Sequence, residues 1–321
     1  MGKYSFGAHM PTFNGIPMIN MGRFTNPWAT HYFVDGDNGS DSHDGKSTTK
    51  SFATIQKAVT ASKGGDVIYI NPKGFLGGSG FGRYTEDVIV YGGVGANAAA
   101  GGSGISIPGA NRSIIGVTPR GTPTDFLGVR LKHATAVAMN VEAPGTHIEN
   151  IGFFVEGATY GVYFESDGAT YGKQGGVGSS MYNCAVKGEG GVFADGTDEL
   201  QIINCRFQAK YDGTTSGVII TEAGTNYCRR PIVRGCTFLG GNAADMDSAP
   251  IIWTGRVQQG VIDNNLFLAA TSSVYINMAT SATGIISNNV FADADISSTG
   301  IVQDSMVCVN NKDLGGEEVA A

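Results

Sequence analysis

Two acidic side chains in the middle of the chain are the best candidates for chemistry. Glu165 and Asp167 stand two positions apart, and glycosidases cleave the bond between two sugars with a pair of carboxyl groups. The other acids of this region fall in segments of different length and form no repeated column, and acidic side chains in loops are usually solvated. The sequence therefore assigns no catalytic residue, and Glu165 with Asp167 is the candidate pair if the protein is a hydrolase.

A short acidic loop near residue 40 offers ligands for a cation. Asp35, Asp37 and Asp41 supply the oxygen atoms that Ca²⁺ prefers. The spacing departs from the EF-hand loop, which ends on a Glu at its twelfth position, because Lys46 stands there. We expect these side chains to form Asx turns that fix an irregular loop. No cofactor is therefore predicted, and bound Ca²⁺ is the alternative.

Other catalytic patterns are missing from the sequence. It contains no Ser-His-Asp signature, no phosphate-binding loop and no spacing of zinc ligands. No histidine follows His147, so the sequence offers no histidine base in the later part of the chain.

A six-residue motif recurs along the chain and must position these side chains. Its first residue is apolar except for the Cys of the last copy, its third is Asn or Gly, and its sixth is Phe in five copies and Val in the other. The complete copies are IENIGF at 148–153, MYNCAV at 181–186, IINCRF at 202–207, VRGCTF at 233–238, IDNNLF at 262–267 and ISNNVF at 286–291, and a truncated copy, CVNN, stands at 308–311. Successive third positions are 33, 21, 31, 29, 24 and 22 residues apart. A period of roughly 20–50 residues is typical of a solenoid, in which each repeat stacks on the one before.

The motif predicts a corner of a parallel β-helix. Asn and Gly tolerate positive φ better than other residues do, so the third position predicts a bend between two strands whose apolar residues point inward. Variable spacing follows if the other corners carry loops of different length. Two interior stacks are expected. The first consists of Ile148, Met181, Ile202, Val233, Ile262, Ile286 and Cys308, and the second of Phe153, Phe207, Phe238, Phe267 and Phe291.

Three cysteines occupy the fourth position of the motif. Cys184, Cys205 and Cys236 would lie on successive coils, about 4.8 Å apart. A metal or redox site is one interpretation. No Cys-x-x-Cys pair and no nearby histidine accompanies them, which favours a row of small buried apolar side chains.

The segment 31–74 predicts a lid for the first coil. Four apolar residues fall on one helical face: Phe52, Ile55, Ala58 and Val59. Ser51 is the expected N-cap, Gly64 and Gly65 the stop signal, and 66–70 the strand that follows. A helix in this place would cover the backbone and the apolar interior that the end of a solenoid leaves open.

This segment resembles the N-terminal entry of the pectate-lyase-like family of right-handed parallel β-helices. The matching pieces are VDGDNGSD at 34–41, DG at 44–45, FATIQKA at 52–58, GDVI at 65–68 and YTEDV at 84–88. Together with the motif copies, the resemblance covers about 31–311. It implies an all-β, right-handed, single-stranded parallel β-helix with an N-terminal capping helix. It does not imply one activity, because the family includes lyases, glycoside hydrolases, phage tailspikes and particle proteins that are not enzymes.

Composition supports this fold class and excludes several partners. Gly accounts for 49 of 321 residues, charged residues for 15% and apolar residues for 41%, which is typical of a turn-rich all-β protein and not of a disordered one. A net charge of −7 without a basic patch argues against a nucleic-acid partner. No apolar run is long enough to span a membrane, so no membrane partner is expected. Five cysteines, three of them in one column, and an N-terminus without a secretory signal favour free thiols and folding in a reducing cytosol.

Three parts of the chain are expected. Residues 1–30 form an extended arm rich in Met and Phe, 31–311 the β-helix and 312–321 a solvated acidic tail. The arm has little to bury against within itself, so we expect it to dock on a partner or a sister subunit. Its candidate contact residues are Phe6, Met10, Phe13, Ile16, Met18, Ile19, Met21 and Phe24.

Two functional hypotheses follow. The first is a structural protein of a tailed-phage particle, a capsid decoration (cement) protein or spike that binds the major capsid protein or another particle protein through the arm. The resemblance adds assembly as a homotrimer, and the virion is then its location. The second is a polysaccharide lyase or glycoside hydrolase, free or as a tailspike depolymerase. Binding of surface glycans without turnover is a further alternative, and more of the features above favour a protein without enzymatic activity.

Overall fold

The computed structural model describes most of the chain beyond the N-terminal arm. The described residues are 12–13, 16–17, 29–74, 82–91, 111–117, 128–134, 137–157, 160–166, 175–209, 217–222, 228–240, 249–268, 274–279, 281–292, 301–302 and 305–319. Within these ranges nearly all of the regular secondary structure is β-strand.

Three long parallel sheets run along the molecule, and each coil between β4 and β29 contributes one strand to each of them. Sheet 1 has ten strands: β3 His31–Val34, β4 Val67–Ile70, β7 Ser113–Gly116, β10 His147–Glu149, β13 Ser180–Tyr182, β16 Gln201–Ile203, β20 Ile232–Arg234, β24 Gly260–Asp263, β27 Gly284–Ser287 and β30 Met306–Val309. Sheet 2 has nine: β5 Tyr84–Thr85, β8 Val129–Lys132, β11 Ile151–Val155, β14 Ala185–Gly188, β17 Arg206–Ala209, β21 Thr237–Leu239, β25 Leu266–Phe267, β28 Val290–Phe291 and β31 Lys312–Asp313. Sheet 3 has eight: β6 Val88–Val90, β9 Met139–Val141, β12 Val162–Phe164, β15 Val192–Asp195, β18 Val218–Thr221, β22 Ile251–Thr254, β26 Ile276–Met278 and β29 Ile301–Val302. This order confirms the predicted parallel β-helix.

Two short strand pairs lie outside the three sheets. β1 Thr12–Phe13 and β2 Ile16–Pro17 pair antiparallel within the arm. β19 Cys228–Arg229 and β23 Val257–Gln258 pair parallel beside a loop of the β-helix. The helical segments of the described chain are a 3-10 turn at Thr48–Lys50 and the helix α1 at Ile55–Ala61, and none of them is long enough to cross a membrane.

The motif forms the corner between sheet 1 and sheet 2, as predicted. Its third residue has positive φ in every copy: 59° at Asn150, 52° at Asn183, 53° at Asn204, 64° at Gly235, 56° at Asn264, 55° at Asn288 and 53° at Asn310. The loops that change the repeat length fall at the other corners. The motif therefore keeps one corner constant while the rest of each coil varies.

Both predicted interior stacks are confirmed. The residues of the first stack, from Ile148 to Cys308, are direct partners in the register of sheet 1. The phenylalanines from Phe207 to Phe291 stack at centroid distances of 5.0, 4.8 and 4.9 Å, and Val186 joins Phe153 to them. All are buried except Cys308, which is half-buried in the last coil.

The cysteine column is a structural ladder that continues as asparagines. Cys184, Cys205 and Cys236 are buried, and each thiol lies within hydrogen-bond reach of backbone carbonyl oxygens. From the next coil onward Asn265, Asn289 and Asn311 fill the same column. Their side-chain amides donate to one another along the axis, at 3.0 and 2.9 Å.

The N-terminal end of the β-helix is covered by α1, and the residues that begin and end this helix differ from those expected. Its N-cap is Thr54, whose hydroxyl accepts from the Lys57 amide, and not Ser51. Glu86 explains the later start, because its carboxylate accepts from the Ile55 and Gln56 amides at 3.0 and 2.9 Å. The helix ends at Ala61, before the predicted stop at Gly64 and Gly65.

The C-terminal residues pack on the last coil. Lys312–Asp313 adds the ninth strand of sheet 2, and a bridge joins Lys312 to Glu318. Val319 is buried, and its amide donates to the Asn311 carbonyl. The tail expected to be solvated from residue 312 is exposed at Lys312 and at 314–318, but Asp313 and Val319 are buried, because the sequence pattern did not show that Val319 closes over the core.

Candidate functional site

Glu165 lies at the edge of sheet 3, immediately after β12. Its side chain accepts a hydrogen bond of 2.7 Å from the amide of Asn140 on the neighbouring coil. Its backbone continues the sheet, because its amide donates to the Val141 carbonyl at 2.8 Å. Asp167, the other member of the predicted pair, lies outside the described residues.

The acid that the structure brings close to Glu165 is Asp195, at the end of β15. One carboxylate oxygen accepts from the Tyr163 hydroxyl at 2.8 Å, and the other accepts from the Ser166 amide at 2.6 Å. Burial raises the pKa of the Asp195 carboxyl above its usual value, against these two hydrogen bonds, and the charge of Glu165 raises it further. A carboxyl group whose pKa is raised by burial and by a neighbouring carboxyl group is the electrostatic arrangement that can separate an acid from a base.

Aromatic rings adjoin this acid pair on the outer face of sheet 3. The rings of Tyr160 and Phe193 stack at 4.7 Å, and Tyr163 meets Phe193 at 5.2 Å with an interplanar angle of 57°. Burial raises the pKa of Tyr163, and its hydrogen bond to Asp195 raises it further, so the phenol stays protonated. We call Tyr160, Tyr163, Glu165, Phe193 and Asp195 the aromatic–acid surface.

The aromatic–acid surface has the chemistry of a site for polar ring compounds. Aromatic rings offer flat apolar faces, and carboxylate oxygens accept hydrogen bonds from hydroxyl groups. The spacing of residues in the sequence does not by itself identify Asp195 as a partner of Glu165. The register that pairs Tyr163 with Phe193 would have revealed this partner. Predicting that register requires the length of a corner loop, which the sequence does not define.

The acidic loop near residue 40 is held by its own carboxylates. Asp35 accepts from the Asp37 and Asn38 amides at 3.0 Å each, and Asp37 accepts from the Gly74 amide at 2.6 Å. Asp41 accepts from two amides of the segment that leads into α1, at 2.9 and 3.0 Å. Burial works to raise the pKa of Asp35, but the hydrogen bonds from Asn38, Asp37 and Asn71 outweigh it and hold the pKa below its usual value.

These contacts match the Asx-turn role expected for the loop. Over the described ranges, no three His, Cys, Asp or Glu residues are grouped so that they could hold a metal ion. Whether the loop binds Ca²⁺ stays a prediction.

A second candidate surface lies on the outer face of sheet 1, towards its C-terminal end. One outward column there is aliphatic over four successive coils: Ile232, Val261, Ile285 and Val307. Ile285 is 46% exposed and Val307 58%, and Val309 in the neighbouring column is 50% exposed. We call these five residues the aliphatic face. Contiguous exposed apolar side chains mark sites of protein contact more often than scattered ones do.

The predicted contact residues of the arm fall mostly outside the described chain. Phe13 and Ile16 are register partners in the β1–β2 pair. Phe6, Met10, Met18, Ile19, Met21 and Phe24 lie outside the described residues, so their docking role stays a prediction.

Comparison with known proteins finds similar solved structures at low identity. A pectin methylesterase from Aspergillus niger has 14% identity and a TM-score of 0.46, with 92% of this chain and 89% of that chain covered. ORF18 of Geobacillus virus E2 has 12% identity and a TM-score of 0.40, with coverage of 88% and 60%. The tailspike gp49 of the Acinetobacter baumannii bacteriophage Fri1, a capsular polysaccharide depolymerase, has 10% identity and a TM-score of 0.30, with coverage of 88% and 62%.

No protein-family model matches the chain, and no curated protein matches it either. At these identities the structural comparisons concern the fold alone, which the sheet topology itself establishes as a parallel β-helix.

Proposed function

We propose that this chain is a structural protein of a virus particle, a capsid decoration protein or spike of a tailed phage. The observation that carries the proposal is the aliphatic face. Ile285, Val307 and Val309 stand exposed on a continuous ten-stranded sheet, where the strand register fixes their relative positions. A rigid apolar surface of this kind loses little conformational entropy when another protein covers it.

We assign one partner to the aliphatic face and another to the N-terminal arm. The aliphatic face contacts further copies of the chain, which form a homotrimer. The N-terminal arm docks on the major capsid protein or another particle protein. In this arrangement the β-helix is the rigid body and the arm is the attachment.

The experiment compares the full chain with two variants. One lacks residues 1–28 of the arm and keeps Thr30, which is hydrogen-bonded to Asp66 and Val67. The other carries Ile285→Ser, Val307→Ser and Val309→Ser. We expect the triple variant to lose the oligomer in light scattering, and the arm-deleted chain to stay oligomeric but lose co-sedimentation with capsid shells. Leu314→Ser, at a residue that is 62% exposed and outside the aliphatic face, is the matched control. An oligomer and shell binding that survive both changes would refute the proposal.

A second candidate function is action on a polysaccharide, and the aromatic–acid surface favours it. Asp195, with its raised pKa, would serve as the general acid and Glu165 as the second carboxylate, and the Tyr160 and Phe193 rings would face the sugar. Surface glycans are then the partner.

Depolymerisation assays test this candidate. The purified chain is incubated with acidic and neutral polysaccharides, with and without Ca²⁺, and new reducing ends and unsaturated uronate absorbance are both measured. We expect turnover that Asp195→Asn and Glu165→Gln each reduce by about 100-fold or more. Turnover that both variants retain would remove this surface from consideration.

A further inference from the structure

Three polar side chains meet on the outer face of sheet 1, on a different sheet from the aromatic–acid surface. His147 and Glu149 are two residues apart on β10, so strand alternation points both to the same side. Ser180 is the direct register partner of His147 on the next strand, β13. The topology therefore places a hydroxyl, an imidazole and a carboxylate next to one another.

The imidazole of His147 joins the other two groups. Its Nδ1 lies 2.8 Å from the Ser180 hydroxyl, and its Nε2 lies 3.2 Å from Oε2 of Glu149. An ionised carboxylate only accepts hydrogen bonds. Nε2 therefore carries the hydrogen in this arrangement, and Nδ1 presents its lone pair to the Ser180 hydroxyl.

Burial holds the arrangement in place. The side chain of His147 is 4% exposed and that of Glu149 is 16% exposed, and Ser180 is, like Glu149, partly buried. The imidazole is thus shielded by the protein, whereas the hydroxyl and the carboxylate on either side of it are partly exposed. These are the positions that a serine nucleophile, its base and an orienting carboxylate need.

We propose that Ser180, His147 and Glu149 form an acyl-transfer site that hydrolyses short acyl esters, an activity beyond the structural role above. Ser180 Oγ attacks the ester carbonyl carbon while its proton passes to His147 Nδ1. The tetrahedral intermediate then breaks its bond to the alcohol oxygen, which leaves with the proton from His147. Water, deprotonated by the same nitrogen, attacks the acyl-enzyme, and the carboxylic acid and the free Ser180 hydroxyl are restored.

Glu149 acts as a positioning residue in this reaction. It holds the imidazole in the tautomer that accepts at Nδ1 and stabilises the imidazolium that forms when the Ser180 proton arrives. The ring is reversed relative to the serine-protease arrangement, in which Nε2 faces the serine. Either ring nitrogen can act as the base, because the hydrogen bond that one nitrogen donates to a carboxylate leaves the lone pair on the other.

Gln201 is placed to assist the carbonyl oxygen. It is the register partner of Ser180 on the following strand, β16, in the same outward column. A side-chain amide in this position can donate to the oxyanion that develops during attack. We therefore assign Gln201 as the oxyanion donor.

The test uses the full chain with p-nitrophenyl acetate and a fluorophosphonate probe. We expect release of nitrophenolate and a single covalent adduct, which peptide mass spectrometry places on Ser180. Ser180→Ala should remove the adduct and lower kcat by at least about 1,000-fold, and His147→Gln should lower it by a similar factor. Gln201→Ala should lower kcat by about 100-fold.

Two further variants separate catalysis from folding. Glu149→Gln should lower kcat with little change in KM, and Glu149→Asp should restore part of the loss, which a purely structural carboxylate would not do. Ser287→Ala is the matched control, because Ser287 lies on the same face of sheet 1 and bonds Asp263 at 2.8 Å without a histidine. It should keep full activity.

Three results would contradict the proposed acyl-transfer site. A folded wild-type chain that neither releases nitrophenolate nor takes up the probe would overturn the proposal, as would equal rates in wild type and Ser180→Ala or an adduct on another residue. These outcomes leave the particle role untouched, because that role is tested on the aliphatic face and the arm.

Discussion

At each turn from sheet 1 to sheet 2, a single residue takes the left-handed backbone conformation. Asn fills this position in six copies of the motif and Gly235 in the seventh, with φ between 52° and 64°. Most side chains are strained there, because Cβ crowds the following carbonyl oxygen, whereas Gly has no Cβ and Asn is tolerated. The residue type of this one position therefore fixes the direction of the next strand.

Asn264 offers the cleanest test of this argument. Its φ is 56° and its side chain is exposed. Asn264→Ala should lower the free energy of unfolding by about 1–2 kcal/mol through backbone strain, and Asn264→Gly should change it by only a few tenths. Urea unfolding of the two variants measures the difference. Equal effects of Ala and Gly would contradict the strain argument.

The outer face of sheet 1 also contains a pH-sensitive carboxylate, Asp263. Burial tends to raise its pKa, but hydrogen bonds from Asn288 and Ser287 and the charge of Arg234 outweigh this and hold the pKa below its usual value. Between the two pKa values the unfolded chain binds more protons at this residue than the folded protein does. Its stabilising contribution is therefore complete above the unfolded pKa, about 3.9, and disappears as the pH falls through the folded value.

We therefore expect Asp263→Asn to lower the melting temperature at pH 6, and to have less and less effect as the pH falls through the lowered pKa of Asp263, because the wild-type carboxyl group then becomes neutral as well. Melting curves recorded across this range check the prediction. A difference that stays constant with pH would assign the loss to packing and not to charge.

Among the elements, the phenylalanine stack is the most regular part of the core. Phe238 lies between Phe207 and Phe267, with centroid distances of 5.0 and 4.8 Å and nearly parallel rings. Each ring is fully or almost fully buried, and one ring touches the coils on both sides. Removing a ring therefore leaves a cavity that neighbouring strands, fixed by their hydrogen bonds, can fill only in part.

Phe238→Ala should accordingly lower the free energy of unfolding by about 3–5 kcal/mol. Leu268→Ala is the control, because this side chain follows β25 directly and is 39% exposed, and its loss should be well below 1.5 kcal/mol. Denaturant unfolding followed by circular dichroism measures both. A small effect at Phe238 would mean that the stack adapts to the cavity.

At the scale of the whole molecule, the motif predicts the architecture because it forms the corner between sheet 1 and sheet 2, which has the same geometry in every copy. The bend, both interior stacks and the cysteine column all lie within a few residues of it, so their spacing carries directly from coil to coil. Ser180 with His147 also falls in this group: each stands three residues before a motif Asn, so the pair could have been found from the sequence. The pairing of Asp195 with Glu165 could not be found in this way, because the loops that separate these residues from the motif differ in length from one coil to the next.

Two features of the fold cannot be predicted from the motif. The start of α1 is decided by Glu86, about thirty residues away in sequence, whose carboxylate binds the first helical amides. The closing contact of Val319 depends on a return of the chain that no periodic pattern shows. Both are long-range contacts of single residues, and the motif contains no information about them.

A register-preserving deletion tests the solenoid as a whole. Removing residues 205–235 joins Asn204 to Cys236, so that one full coil is lost and every column is kept. We expect a folded protein with a lower m-value and a lower free energy of unfolding, because stability in a solenoid is a sum over coils and their interfaces. Deletion of 205–220 breaks the register and should abolish cooperative unfolding. Similar unfolding curves for the two deletions would contradict this.

The position of the capping helix has a consequence for synthesis on the ribosome. The chain leaves the ribosome with α1 and the first strands ahead of the later coils, so the lid exists before the coils that it protects. Translation at about 5–20 residues per second takes a few seconds to supply each new coil, far longer than the microseconds in which a local strand pair forms. Each coil can then settle on a finished template, while the growing end presents unpaired strands to other nascent chains.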